Sequence, residues 1–267
     1  YKRQVVITPW GSDVLRAKKY QLRGLRKLVQ KSNWVTCTQG SRFEKDIVTL
    51  LDIPKEKLYN LPIGIASIDE ILSRPFITDE QAKRVWGFEG KYVIVIGYNG
   101  SPAHNHIKVI KSLVFMKKQL PTNTILVCPM TYGGNPVYRK KIKRLLWNSQ
   151  FENQILENYL TAEELVCLRK ATDLFIHAQN TDANSGTIAE YLLCRKKIVN
   201  PTWITYPHYE TYGSPFYSFS NFEELPQAIM KAINDTSNKV SPLLTGNISE
   251  SGWSKLACKW VELYKKY

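Results

Sequence analysis

The chain has 267 residues, enough for one large domain or two smaller ones, and an ordinary 43% of them are hydrophobic. Its 37 Lys and Arg outweigh 23 Asp and Glu, for a net charge of +14, and residues 1–31 hold nine of the basic residues against one acid. Such an excess suits phosphate, nucleic acid or anionic lipid as a partner, and no run of about 18 apolar residues is present, so no membrane-spanning helix is predicted. The five cysteines, Cys37, Cys128, Cys167, Cys194 and Cys258, are odd in number, widely spaced and mostly beside apolar residues. They read as buried free thiols in a reducing compartment, not as disulfides or zinc ligands. His104-x-His106 has no third partner nearby, so no metal site is expected.

The chain opens on Tyr1 directly before a strand-like run, and a preceding piece is expected. Gln4 to Pro9 reads as a strand that runs into Trp10-Gly11-Ser12-Asp13. Asp13 is placed to cap a helix reaching to about Gln30. At 100° per residue, Leu15, Leu22, Leu25, Leu28 and Val29 share one arc of that helix. Arg16, Lys19, Arg23, Arg26 and Lys27 share the adjacent arc, which is either a solvated face or a surface for anionic lipid headgroups. Trp34 to Thr38 and Leu58 to Pro62 read as further strands, with a helix from Arg42 to Leu51 between them. Residues 66–90 look like a linker, broken at Ser73-Arg74-Pro75, with a helix start at Thr78-Asp79-Glu80-Gln81.

A new sheet begins at Lys91 to Tyr98 and ends in a glycine-rich loop, Gly97-Tyr98-Asn99-Gly100-Ser101-Pro102. The following helix, Ala103 to Leu120, is expected to bury Ile107, Ile110, Leu113 and Val114. Such a loop and helix start can hold a pyrophosphate, although neither GxGxxG nor a P-loop is present. His104 and His106 lie nearby, as hydrogen-bond donors or as plain surface residues. The strand Thr124 to Cys128 leads into Pro129-Met130-Thr131-Tyr132-Gly133-Gly134-Asn135, then a helix from Pro136 to Trp147 with a basic solvated face. Gln154 to Leu160 is the third strand, and Thr161-x-x-Glu164 caps a helix to Lys170.

The most informative stretch is Asp173 to Pro201. It reads as strand (Leu174-Phe175-Ile176), polar loop (Gln179 to Gly186), helix (Thr187 to Arg195) and strand (Ile198-Val199), the unit of a parallel α/β sheet. Asn184, Ser185 and Gly186 bring backbone N–H groups to a helix start, where a phosphate can sit. Asp182 and Glu190 bracket that loop, although Thr187-x-x-Glu190 also reads as a capping box that needs no ligand. Tyr206, Tyr209 and Tyr212 follow in an aromatic loop, either facing a sugar or packing it. Ser220-x-x-Glu223 caps a helix to Ile233, and Trp253, Leu256, Trp260 and Leu263 form the apolar stripe of a last helix.

The Asp182-x7-Glu190 pair resembles the acidic-x7-acidic motif of glycosyltransferase family 4 and its GT-B relatives. The WGSD strand end at Trp10–Asp13, the VTCTQGS segment at Val35–Ser41 and LPIGI at Leu61–Ile65 resemble the same family. The loops GYNGSPAHNH and YGGN are similar to those of the Fuc4NAc transferases of enterobacterial common antigen synthesis. Three departures stand out: Trp10 where many relatives have His, Asp182 where they have Glu, and histidines where they offer Arg and Lys to the diphosphate.

The resemblance implies an α/β protein of the GT-B fold, two Rossmann-like domains with the N-terminal one incomplete. Residues 1–75 would be its later half, 76–90 a linker, 91–246 the nucleotide-sugar domain and 247–267 a helix returning to the first. It implies a metal-independent hexosyltransferase that uses no cofactor. A sugar would pass from a nucleoside-diphosphate sugar to a glycan or lipid-linked acceptor in bacterial surface polysaccharide synthesis. Family 4 implies retention at the anomeric carbon, the expectation taken here, and the Fuc4NAc transferases imply inversion. By the same resemblance Asn99, Gly100, Ser101 and His106, with Asn184, Ser185, Gly186 and Thr187, would surround the diphosphate. Tyr159 and Leu160 would border the base, and Tyr132 and Gly133 would also contact the donor. Asp182 would orient the sugar, Glu190 would hold the ribose, and Asp13 would face the acceptor or the reaction from across the cleft. The protein would be cytoplasmic, peripheral on the inner face of the plasma membrane through its basic arc, and without nucleic acid. Two rivals are a GT-B nucleotide-sugar epimerase and a non-enzymatic basic protein binding membrane or polyanion.

Overall fold

A computed structural model describes residues 4–265. The N-terminal unit is a three-stranded parallel sheet, β1 (Val6–Ile7), β2 (Trp34–Cys37) and β3 (Leu58–Asn60), in that spatial order. Helices α1 (Ser12–Leu15), α2 (Lys19–Lys31) and α3 (Arg42–Leu51) accompany it around Val14, Val29, Val35, Phe43, Ile47 and Leu51. The single helix expected from Asp13 to Gln30 is therefore two. Lys18 is extended, and its N–H is taken by the Gln21 side chain, which starts α2 afresh. The break removes Leu15 and Arg16 from the wheel of α2, where Val29 is buried, Leu22 and Leu25 are half-buried and Leu28 is exposed.

Residues 66–90, expected as a linker with one helix start at Thr78, hold two helices. They form α4 (Ala66–Leu72) and α5 (Asp79–Trp86), and Ile68, Ala82 and Phe88 are buried in the core of the second unit. Thr78 and Gln81 cap α5 reciprocally, as their spacing predicts. Lys83 pairs with Asp173 at 2.8 Å and ties α5 to the second sheet.

That sheet has six parallel strands: β4 (Tyr92–Ile96), β5 (Thr124–Pro129), β6 (Glu152–Leu156), β7 (Leu174–Ile176), β8 (Lys197–Pro201) and β9 (Phe216–Phe219). Their order is β6-β5-β4-β7-β8-β9, which in the unit's own count is 3-2-1-4-5-6, the Rossmann order. Val93 to Ile96 and Ile125 to Cys128 are buried runs because helices cover both faces of the sheet. On one face lie α6 (His106–Phe115), α7 (Pro136–Ser149) and α11 (Leu225–Asn234). The other face carries α4, α5, α8 (Ala162–Ala171), α9 (Gly186–Leu193) and α12 (Pro242–Ser249).

Three boundaries differ from expectation. The helix expected over 103–120 is shortened to α6, because Asn105 adopts a left-handed φ of 54°. Strand β6 stops at Leu156, which leaves Tyr159 and Leu160 in a loop. Helix α11 starts after Glu224, whose carboxylate takes the Ser220 N–H, so Glu223 is not the capping partner. Of the free cysteines, Cys37, Cys128 and Cys167 are buried, Cys194 is half-buried and Cys258 is exposed.

The last helix, α13 (Trp253–Lys265), touches both units. Ser254 N–H reaches Asp69 at 3.1 Å, Trp260 Nε1 reaches the Pro62 carbonyl at 3.1 Å, and Gln4 Nε2 reaches the Leu263 carbonyl at 3.3 Å. Among the described residues no helix is long and apolar enough to cross a membrane.

Candidate functional site

Strand order reverses between β4 and β7, so the loops leaving these neighbours diverge and open a crevice at the carboxyl ends of the sheet. The N-terminal unit faces that crevice with residues 8–11, 15–16, 36–38 and 61–65, and the cleft between them measures about 700 Å³. The units meet where Gly11 touches Ala183. A Cβ on Gly11 would come within 2.5 Å of Ala183 Cβ, and φ at Gly11 is +90°, so only glycine suits the contact.

Two loops of the second unit interlock on one wall. Gly100 N–H donates to the Tyr132 carbonyl at 2.7 Å, and Asn99 Oδ1 accepts the Ser101 N–H at 2.8 Å. A Cβ on Gly134 would stand 2.1 Å from the Gly100 oxygen. Asn99, Ser101, Tyr132 and Gly133 line the cleft, and Gly100 lies buried directly behind them. Tyr159 is 77% exposed and stacks parallel to Tyr132 with ring centres 6.2 Å apart. Tyr159 and Leu160 are not among the residues lining the cleft.

His106, expected at the diphosphate, is instead fully buried behind the loop, and its Nδ1 lies 3.2 Å from the Tyr138 hydroxyl. His104 is buried beside it. The left-handed turn at Gly97 packs directly on both rings, which draws them inward. Burial holds the His106 ring down to about 4, and burial followed by the neighbouring His177 and His106 holds His104 down to about 2. Both rings are therefore neutral at physiological pH.

The loop after β7 supplies the opposite wall. Helix α9 begins at Gly186, and its N-cap Ser185 makes no side-chain capping bond. Ser185, Gly186 and Thr187 all line the cleft at that helix start. Asp182 Oδ1 accepts the Ala183 N–H at 2.9 Å, and Oδ2 accepts from the Tyr206 hydroxyl. His177 Nε2 is 3.6 Å from the same oxygen. Asn200 fixes the histidine: its Nδ2 donates to the Pro201 and Ile204 carbonyls, so its Oδ1 accepts from His177 Nδ1 at 2.8 Å. Burial, then the Asp182 charge, pushes the Tyr206 hydroxyl well above its ordinary value, so it acts as a donor. The aromatic loop thus contributes Tyr206 to the support of Asp182, a role its sequence position did not announce.

Glu190 does not form the capping box with Thr187. The helix starts at Gly186 with Ser185 as its N-cap, so Glu190 lies beyond the capping position, and it is buried to 6% exposure. There its carboxylate accepts from Arg169 Nε at 2.7 Å and from the Ser67 hydroxyl of α4. Arg169 also donates to the Tyr191 hydroxyl at 3.1 Å and lies over that ring. Glu190 still borders the cleft floor, with its charge already balanced.

From the N-terminal unit, Trp10 and Arg16 line the cleft and Asp13 does not. Asp13 is exposed, and its carboxylate takes the Trp10 N–H at 3.0 Å, which is not the N-cap position expected of it. Arg16, expected on the lipid-facing arc, reaches across to Thr181 with Nε on Oγ1 at 3.0 Å and Nη2 on the carbonyl at 3.1 Å. Lys19, Arg23, Arg26 and Lys27 remain exposed on α2. Asn184 bridges the units as well, from Thr38 Oγ1 at 3.1 Å to His208 Nε2 at 3.0 Å. It divides the cleft from a second cavity of about 540 Å³ that Tyr209 and Tyr212 border.

No known protein family matches the chain, and no curated protein matches it by sequence. Solved structures do. A glycosyltransferase from Rickettsia africae aligns over 98% of this chain and 70% of its own, with 17% identity and a TM-score of 0.75. Anabaena HepE, solved in complex with UDP-glucose, aligns over 100% and 73%, with 15% identity and a TM-score of 0.75. WaaG, a glycosyltransferase involved in lipopolysaccharide biosynthesis, aligns over 87% and 63%, with 15% identity and a TM-score of 0.64. At these identities the likeness is one of fold. The chain has the GT-B fold, two α/β units with parallel sheets facing each other across a cleft.

Proposed function

We propose that the chain is a glycosyltransferase related to family 4, moving a sugar from a nucleoside-diphosphate sugar to a glycan or lipid-linked acceptor. The observation that carries this reading is the cleft at the strand-order reversal of a Rossmann unit, faced by a second unit. In this reading the diphosphate rests on Ser101 and the start of α9, Ser185 to Thr187, where uncapped N–H groups and the helix dipole favour negative charge. Charge developing on the leaving phosphate is met there without a metal ion. Asp182 accepts a hydroxyl of the donor sugar with the oxygen capacity left by Ala183 and Tyr206. Glu190 receives the ribose through Oε1, the oxygen that Ser67 now holds. Tyr132, backed by Tyr159, borders the base. Asp13 shapes the acceptor side by fixing Trp10.

The same reading includes retention of anomeric configuration, as in family 4, and a place in bacterial surface polysaccharide synthesis. The exposed cations of α2, Lys19, Arg23, Arg26 and Lys27, would hold the enzyme to an anionic membrane on the cytoplasmic side. HepE, solved with UDP-glucose, and WaaG, a lipopolysaccharide enzyme, share the fold and support looking there first. The test is incubation with a panel of nucleoside-diphosphate sugars, with and without short glycan and prenyl-linked acceptors. Acceptor-dependent release of one nucleoside diphosphate is expected, with the sugar recovered on the acceptor. Release without an acceptor, together with a change at the sugar's second carbon, would identify an epimerase instead.

A further inference from the structure

Arg16 is the one cation among the described residues that line the cleft. The nearby carboxylates, Asp182 and Glu190, add negative charge to the same space, and Arg169 neutralises Glu190 alone. Among the described lining residues, a phosphate entering the cleft therefore meets a single positive group not already paired with a carboxylate. Its placement follows from the break between α1 and α2. Arg16 is the C-cap of α1, behind buried Val14, and the chain turns away before α2 begins. Its guanidinium spends two of its five N–H groups on Thr181, and Nη1 has no partner among the described residues. Those two bonds hold the fork in place before any ligand arrives, which lowers the entropic cost of binding. Thr181 belongs to the loop that becomes the start of α9, so one loop presents both the guanidinium and the helix N-terminus to the cleft.

We infer that Arg16 is a phosphate-binding residue of the cleft, supplied by the N-terminal unit to a phosphate held by the 181–187 loop of the other. This deepens the nucleotide-sugar reading and rests on it only for the source of that phosphate. Two sources share the chemistry: the donor diphosphate, and the phosphate of a lipid-linked acceptor.

The experiment compares wild type, Arg16→Ala, Arg16→Lys and Thr181→Ala by calorimetry, with inorganic pyrophosphate, geranyl phosphate and geraniol as probes. Arg16 is exposed, so its variants should fold, and a thermal midpoint near wild type confirms this. Arg16→Ala should weaken pyrophosphate binding on the order of 10- to 100-fold, as loss of a charge-assisted hydrogen bond does, and flatten its dependence on salt. Arg16→Lys should restore part of the loss, and Thr181→Ala should lose little, because the charge remains. If geranyl phosphate responds in place of pyrophosphate, and geraniol does not bind, the phosphate is the acceptor's. The inference is overturned if wild type binds neither phosphate, or if Arg16→Ala binds both as wild type does. If Thr181→Ala reproduces the whole loss, Arg16 is a structural bridge and the inference fails. Nucleotide binding that persists while neither it nor geranyl phosphate binding depends on Arg16 would sink this inference alone. Arg16-dependent pyrophosphate binding without any nucleotide binding would sink the donor reading alone.

Discussion

Tyr206 is fully buried and donates its hydroxyl hydrogen to Oδ2 of Asp182, a half-buried carboxylate on the cleft wall. Tyr206→Phe keeps the ring and removes that donor. Stability should fall by no more than about 1.5–3 kcal/mol, the usual worth of a hydrogen bond to a charged group, because water in the cleft can reach the carboxylate. Affinity for a nucleotide sugar should fall more than affinity for the bare nucleotide, because Asp182 is proposed to touch the sugar. Urea unfolding and paired calorimetric titrations measure both, and equal losses for the two ligands would place Asp182 away from the sugar. At this scale the sequence was only partly readable. The spacing of Asp182 and Glu190 pointed to a loop that lines the cleft. The helix start, however, was not legible: with Ser185 as N-cap of α9, Glu190 lies beyond the capping position and pairs with Arg169. Tyr206 and Arg169 are distant in sequence from the residues they serve, and no local signal links them.

Loop geometry decides the next scale. Gly134 has φ of +68°, and any Cβ there would press on the Gly100 carbonyl at 2.1 Å. Gly134→Ala should cost about 1–3 kcal/mol in backbone strain. It should also separate the 97–101 and 132–134 loops, so nucleotide affinity should fall together with the urea midpoint. A variant that is destabilised yet binds nucleotide as tightly as wild type would show that this wall is not part of the site. Strands were the most readable elements. Tyr92–Ile96 and Leu174–Ile176 are apolar runs bounded by turn residues, and they stand where expected. Breaks inside helices were hidden. Extended Lys18 and left-handed Asn105 each split a helix whose apolar periodicity runs on through the break. Residues 66–90 misled in the opposite direction. Their polar, proline-marked composition hid α4, and although Thr78 and Gln81 marked the start of α5, no local signal showed that both helices join the core of the second unit.

For the molecule as a whole, the buried histidines set an acid limit. His104 and His106 take up a proton in the unfolded chain near the ordinary histidine value, but only near 2 and 4 when folded. The unfolded state thus binds more protons between those values. Stability is full above about pH 6.5 and is lost as pH falls toward 4, by about 1.4 kcal/mol per pH unit for each histidine. Chemical denaturation at pH 7 and pH 5 checks this, and equal stability at both would mean that the rings are not held neutral. The larger arrangement rests on two units joined by contacts that include Gly11 on Ala183, Arg16 on Thr181, Thr38 on Asn184, Arg42 on the Trp203 carbonyl, and α13 spanning both. Those contacts turn the strand-order reversal of one sheet into an enclosed cleft. Whether that cleft holds a nucleotide is tested most directly by thermal shift of the folded chain against UDP, GDP, dTDP, CMP and their common sugars. A ligand that binds the native state alone raises the midpoint by mass action. One nucleoside diphosphate and its sugar should raise it, and Gly186→Pro, which fits the first position of α9 but removes a backbone N–H proposed to face the phosphate, should reduce the rise. No shift with any member of the panel would contradict the assignment of the cleft as a nucleotide-sugar site.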